Sequence, residues 1–168
     1  MSEVENHQLP SHKFLDDLKI PYEKRIFPNT TEKGAQNVAH VLHFSERQAV
    51  KTLIFEILHK DKSQYALVML GGDQNAVSGL LKKALGSRNI KLATPEKVIE
   101  ITGYKIGSIP PFHWQPEGFL TIIEKSLMDE EILGVGAGVW GNEIMIKPDE
   151  LVKASSAKIV NLTVKPVD

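Results

Sequence analysis

Cysteine is absent from the 168 residues, which excludes disulfides, a thiolate nucleophile and a cysteine-held zinc site. Aromatic residues are scarce at 7%, so the core must be built mainly from aliphatic side chains. No apolar run approaches the ~20 residues that a membrane-spanning helix needs. The opening residues, Met1 to His7, are polar and carry no apolar signal core, giving the expectation of a cytoplasmic protein with no membrane partner. An excess of either charge is also missing, since 20 basic and 21 acidic residues leave a net charge of −1. Any contact with nucleic acid must come from a local patch.

One such patch is present. Between Asp73 and Glu96 there is no acidic residue, whereas Lys82, Lys83, Arg88 and Lys91 all fall there. That stretch reads either as a surface that steers a phosphate backbone or as a solvated helix face with a basic last turn.

The hydrophobic pattern divides the chain into short elements. A flexible segment is expected over 1–10, followed by one domain over 11–168. Phe14, Leu15 and Leu18 share one face of a helix over 11–18, and an edge strand follows over 22–27. Thr30 or Thr31 is expected to cap a helix carrying Ala35, Val38, Ala39 and Leu42. Strands over 49–58 and 65–70 flank a polar turn and read as a hairpin. Asp73 is the expected cap of a helix with Val77, Leu80, Leu81, Ala84 and Leu85 inward, stopped at Gly86. Thr94-Pro95-Glu96 opens another helix, ended by Gly103. The remainder is β-rich, with strands expected over 104–109, 119–124, 132–135, 142–147 and 159–164 and a short helix opened by Pro148. Neither a βαβ alternation nor an all-β pattern fits. The fold class is α+β, a mixed, partly curled β-sheet with small helices packed around it.

Lys51 breaks the apolar pattern of its strand. Side chains alternate between faces, so it shares a face with Leu53, Phe55 and Ile57, opposite Val50, Thr52, Ile54 and Glu56. A lysine there either snorkels to the surface along its stem or meets an anion or hydrogen-bonding partner inside. Two loops also stand out. In Gly107-Ser108-Ile109-Pro110-Pro111-Phe112 two prolines stiffen the chain and leave the N–H groups of Gly107, Ser108 and Ile109 as spare donors, the makings of an oxyanion hole or of a plain turn. Gly136-Ala137-Gly138-Val139-Trp140-Gly141 matches G-x-G-x-x-G, but a strand follows where a dinucleotide site requires a helix. It is a glycine hairpin, with Glu143 just beyond. His40 and His43 lack a third metal ligand at suitable spacing and read as helix polar residues. His113 follows the proline loop, and no Ser-His-Asp constellation is present.

The order of these features resembles the YbaK / prolyl-tRNA-synthetase-associated domain family of aminoacyl-tRNA deacylases. The resemblance rests on Val50-Lys51-Thr52-Leu53, on Thr102-Gly103-Tyr104-Lys105-Ile106-Gly107 with Pro111 completing G-x-x-x-P, and on the stretch from Gly136 to Ile144; it extends over about 11–154. It implies hydrolysis of the ester joining a wrong amino acid to tRNA, often tRNA for proline, with no cofactor and no metal. Lys51 and Gly107 match the family's catalytic positions. Thr52, Ser108, Ile109, Pro111, Gly136, Ala137, Gly138 and Glu143 match positions that surround the substrate. Partners would be aminoacyl-tRNA and a synthetase. The Lys51-Thr52 pair is more similar to the cysteine-editing branch than to the alanine-editing branch, which favours Lys-Asn. Two departures stand beside these matches: the loop usually reads Gly-Gly-x-Ser-Pro, and a polar residue often stands where this chain has Gly136. A non-catalytic binder of tRNA ends, nucleotides or a synthetase is the alternative reading of the same fold.

Overall fold

The computed structural model describes residues 8–164; residues 1–7, most of the expected flexible segment, and 165–168 lie outside it. The elements are α1 (Pro10–Asp17), β1 (Glu23–Ile26), α2 (Ala35–Leu42), β2 (Val50–Leu58), β3 (Ser63–Gly71), α3 (Ser78–Leu85) and β4 (Ile90–Leu92). They continue as α4 (Pro95–Thr102), β5 (Leu120–Glu124), β6 (Leu133–Gly136), β7 (Asn142–Ile146), α5 (Pro148–Ser155) and β8 (Lys158–Val160). Short 3-10 turns occupy Glu46–Gln48 and Lys125–Asp129.

The strands form a five-stranded sheet in the order β4-β2-β3-β5-β8 and a three-stranded sheet in the order β1-β7-β6. β3 pairs parallel with β5, and β5 with β8, whereas the other pairs are antiparallel, so the architecture is α+β with mixed strand directions. A parallel bridge between Ala49 and Gly134 joins the two sheets.

β3 occupies the centre because it is apolar on both faces. Leu67 and Met69 enter the larger core with Ile54, Ile123, Ile144, Ile146 and Phe112, while Ala66, Val68 and Leu70 enter a second core with Ile57, Leu81 and Leu85. Each fully buried aliphatic side chain of this kind contributes ~1.5–3 kcal/mol relative to exposure. β2 is likewise covered on both sides, with Val50 and Ile54 in the larger core and Ile57 in the second.

Locally encoded features form as expected. The β2–β3 hairpin pairs Val50 with Gly71 and Leu58 with Ser63. Thr94 caps α4 by accepting the Lys97 N–H at 3.2 Å, and Gly86 and Gly103 end their helices in the left-handed region. The structure differs from these expectations at several points. Asp73 caps no helix: its carboxylate is held by Arg47, at 2.8 and 3.3 Å, and α3 begins only at Ser78. Neither Thr30 nor Thr31 caps α2, whose N-cap is Gly34; the Thr31 carbonyl accepts the Trp140 indole N–H at 3.1 Å. Residues 104–109 form a turn rather than a strand, because the two prolines that follow cannot donate to a ladder. Leu18 lies beyond the buried face of α1 as its C-cap and is 52% exposed. Three-residue β4 pairs with β2 where no strand was expected.

Gly72 is required by close approach. A Cβ there would lie 2.6 Å from the Glu46 carbonyl oxygen and 2.9 Å from that of Ala49, both backbone atoms. Gly72→Ala is expected to destabilise the protein by ~1–3 kcal/mol. Gly79, in α3 with open space around it, gives the opposite sign, and Gly79→Ala is expected to stabilise by ~0.4–1 kcal/mol. Urea unfolding of both variants checks the pair.

Candidate active site

A cavity of about 180 Å³ opens at the junction of the two sheets. At ~30 Å³ per water it has room for about six waters, the scale of a small acyl group. Its walls come from Val50 to Leu53 of β2, Ile106 to Ile109 of the proline loop, Gly136 at the end of β6, and Asn142 and Glu143 of β7. Val139 and Trp140 of the glycine hairpin, with Phe27, Ala35 and Val38, close its apolar side.

Lys51 finds hydrogen-bonding partners in the turn after β3. It is half-buried on the cavity wall, and its ammonium donates to the backbone carbonyl of Gln74, with Asn75 Oδ1 at 3.5 Å. Loss of water lowers the Lys51 pKa from its ordinary value, and the negative charge of Asp73 partly opposes that shift. Asp73 itself is kept below the usual carboxylate range, chiefly by its hydrogen bond from Arg47. The Arg47–Asp73 pair thus supplies the turn with charge of both signs beside the lysine.

The proline loop presents two donors rather than three. The Ser108 N–H is committed to the Lys105 carbonyl at 3.1 Å, while the N–H groups of Gly107 and Ile109 have no partner among the described residues. Gly107 has φ +92, a left-handed conformation that a side chain would strain. Behind it the loop is held firmly. Ile109 and Phe112 are buried, the Trp114 indole donates to the Pro110 carbonyl at 2.5 Å, and the Gln115 amide donates to that of Pro111 at 2.8 Å. Tyr104 Oη lies 2.6 Å from His113 Nε2, and His113 takes a left-handed φ of 77. Burial lowers the His113 pKa and raises that of Tyr104, so both are neutral near pH 7.

Gly136 is explained by the loop. A Cβ at Gly136 would stand 3.1 Å from the Ser108 carbonyl carbon and 3.3 Å from the Ile109 carbonyl oxygen. The polar side chain common at this position in the resembled family is missing because loop backbone fills the space. Gly134 does the same for Glu143, whose Oε2 would lie 2.9 Å from a Cβ there.

Glu143 is buried on the cavity wall, and burial pushes its pKa up to about 8. No hydrogen bond to its carboxyl is present among the described residues. Arg25, opposite it in the β1–β7 register, donates instead to the Leu42 carbonyl at 3.1 Å. At pH 7 Glu143 is therefore mainly a neutral carboxylic acid facing a small cavity.

The structure brings Lys51, Thr52, Gly107, Ser108, Ile109, Gly136 and Glu143 onto one cavity wall or another. Pro111, Ala137 and Gly138 lie behind it. Pro111 is buried, Ala137 accepts the Ser11 hydroxyl at 2.6 Å, and a Cβ on Gly138 would meet the Tyr104 ring at 2.7 Å. Sequence reasoning missed Phe27, Val38, Val139, Trp140 and Asn142. Trp140, a large aromatic at a turn, was the available signal: its ring meets Phe27 edge-on at 4.9 Å and has the Lys33 ammonium 4.1 Å above it. Among the described residues no group of three histidine or carboxylate side chains is placed to hold a metal.

Comparison with known proteins places this arrangement. Residues 30–154 match the aminoacyl-tRNA editing domain family. The multifunctional Ser/Thr-tRNA deacylase ProXp-y of Escherichia coli (strain K12) is 28% identical over 116 residues, covering 68% of this chain and 68% of that protein. The proline–tRNA ligase of Halalkalibacterium halodurans is 34% identical over 89 residues, 53% of this chain and 15% of the ligase. The solved structure of a candidate trans-editing enzyme for prolyl-tRNA synthetase has the same fold, with a TM-score of 0.78 at 21% identity, covering 95% of this chain and 100% of that one. From the match to the family model, with the shared fold beside it, the chain belongs to the aminoacyl-tRNA editing domain family.

Proposed function

We propose that this protein is a free-standing aminoacyl-tRNA deacylase of the cytoplasm that removes a small misacylated amino acid from tRNA, with tRNA for proline as the carrier. The observation that carries this reading is a small cavity lined by the half-buried Lys51 and by Gly107 and Ile109, whose N–H groups have no partner among the described residues. The relatives named above supply the substrate class. A synthetase that makes the mischarged tRNA is the partner this function calls for.

In the reaction, water adds to the ester carbonyl carbon, the bond to the ribose oxygen breaks, and the amino acid leaves while the ribose regains its hydroxyl proton. Charge develops on the carbonyl oxygen during attack. Lys51 and the Gly107 N–H stabilise that oxyanion, and because both are fixed beforehand little reorganisation is needed. Gly107 carries no side chain, so the ester can approach its N–H closely. Thr52, Ser108, Ile109 and Gly136 shape the pocket, with Pro111, Ala137 and Gly138 setting the loops behind it. Glu143 pairs with the α-amine of the amino acid, the carboxyl proton passing to the amine so that an ammonium–carboxylate pair forms and the buried acid gains a partner. A pocket of this volume, walled by Val38, Phe27 and Trp140 on one side, suits residues of the size of alanine, serine, threonine or cysteine.

Release of labelled amino acid from a panel of mischarged tRNAs tests the proposal. Lys51→Ala is expected to lower kcat/KM by about 10²–10³-fold. Absence of hydrolysis of every member of the panel, or full activity in the variant, overturns it. Binding of a non-hydrolysable aminoacyl-adenosine without turnover would turn the reading into that of a binder.

Glu143 gives a second expectation. Its folded pKa of about 8 lies above the ordinary 4.5, so between those values the folded protein keeps a proton that the unfolded chain releases. Stability from this group is therefore full below about pH 4.5 and is lost as pH rises towards about 8. Urea unfolding at pH 5, 6.5 and 8 should show Glu143→Gln gaining on the wild type with rising pH. The slope of that difference is at most ~1.4 kcal/mol per pH unit.

A further inference from the structure

Lys51 is held by a turn that the catalytic reading does not otherwise use. Every residue from Gly71 to Gln74 is fastened. The Gly71 N–H donates to Gln74 Oε1 at 2.9 Å, the Gly72 N–H to the Glu46 carbonyl at 2.9 Å, and the Gln74 N–H to the Gly71 carbonyl at 3.0 Å. The Arg47–Asp73 pair secures the fourth residue. A Cβ on Gly71 would lie 2.9 Å from Gln74 Oε1, so the glutamine side chain folds back onto the turn itself.

The anchor then passes out of the turn. Gln74 Nε2 donates to Ser126 Oγ at 2.8 Å, and the Ser126 hydroxyl donates to Glu124. Glu124 is 1% exposed, yet its pKa lies below the ordinary value, because hydrogen bonds from Ser126 and from the Leu162 N–H outweigh the cost of burial. It makes no ion pair among the described residues, and the Arg47 charge acts on it only at longer range. A buried carboxylate satisfied mainly by hydrogen bonds fixes the orientation of its donors, since losing any one of them leaves charge unsolvated.

We infer that Gln74 and Ser126 are positioning residues for Lys51, forming a relay from the buried Glu124 to the carbonyl that holds the ammonium at the edge of the cavity. Gln74 serves with both ends: its side-chain amide locks the turn to Ser126, and its backbone carbonyl receives the lysine. Three consequences separate this assignment from a general contribution to folding. The effect requires Lys51, falls on the chemical step, and is rescued by any residue that restores the hydroxyl. The kinetic part rests on the deacylase reading above; the spectroscopic part does not.

The test compares Gln74→Ala, Ser126→Ala and Ser126→Thr, each in the wild-type and Lys51→Ala backgrounds. In the wild-type background the two alanine variants are expected to lose roughly tenfold to hundredfold in kcat, with KM changed less than about twofold, as misplacement of a catalytic group does. Ser126→Thr should stay close to wild type. In the Lys51→Ala background none should cause a further loss, so the double-mutant cycle is strongly non-additive. Independently of activity, NMR of lysine-labelled protein should show two distinct Hε resonances for Lys51 in the wild type and Ser126→Thr, and one averaged resonance in the alanine variants. Equal losses in both backgrounds, or a Lys51 signal unchanged in Ser126→Ala, overturn the assignment. Should the wild type hydrolyse no aminoacyl-tRNA, the deacylase reading falls and the Lys51 resonances still decide the relay. Ser126→Ala leaves the turn sequence intact and keeps the test available if Gln74→Ala fails to fold.

Discussion

An ammonium ion drawn half out of water must find oxygen atoms, and the site is arranged around that requirement. Lys51 sits on a strand whose neighbours are apolar on both faces, so the strand cannot supply the oxygens itself. The turn after β3 supplies them instead, because antiparallel pairing of β2 with β3 places Val50 opposite Gly71 and brings that turn to the lysine. The hairpin register thereby sets the direction of the charge. The loop that carries Gly107, arriving from elsewhere in the chain, completes the cavity by packing its backbone against Gly136.

Most of the fold was legible because most of it is encoded locally. Thr94-Pro95-Glu96, Gly86 and Gly103 act within one helical turn, and the β2–β3 hairpin needs only alternation and a polar turn. The failures have separate causes. Asp73 could have capped a helix, but Arg47 offers its carboxylate two charged donors. There a long-range partner displaced a plausible local one, and a single sequence carries no record of such competition. Neither Thr30 nor Thr31 caps α2, because the helix begins only after Gly34. β4 escaped notice because three residues are too few to show a period.

The candidate site divides in the same way. Lys51 and Gly107 stood out in the sequence because each breaks a pattern, a charge among apolar residues and a glycine beside prolines, whereas Gly136 and Glu143 were named through the family resemblance. Phe27, Val38 and Asn142 break none and are brought to the cavity by tertiary packing alone. Gln74 was invisible for a further reason. Its importance lies in a backbone carbonyl, a group every residue possesses, and only the anchoring of its side chain distinguishes it.

The bridge between Ala49 and Gly134 joins two sheets whose ladders are otherwise separate. The cavity straddles that seam, drawing one wall from each sheet, so its width depends on side-chain volume at the joint rather than on ladder hydrogen bonds. Acceptance of a new acyl group then asks for no change of register or topology. Exchange of one lining residue, such as the exposed Val139, would retune the pocket while leaving both sheets as they are, whereas Gly136 is held to glycine by the loop backbone packed against it.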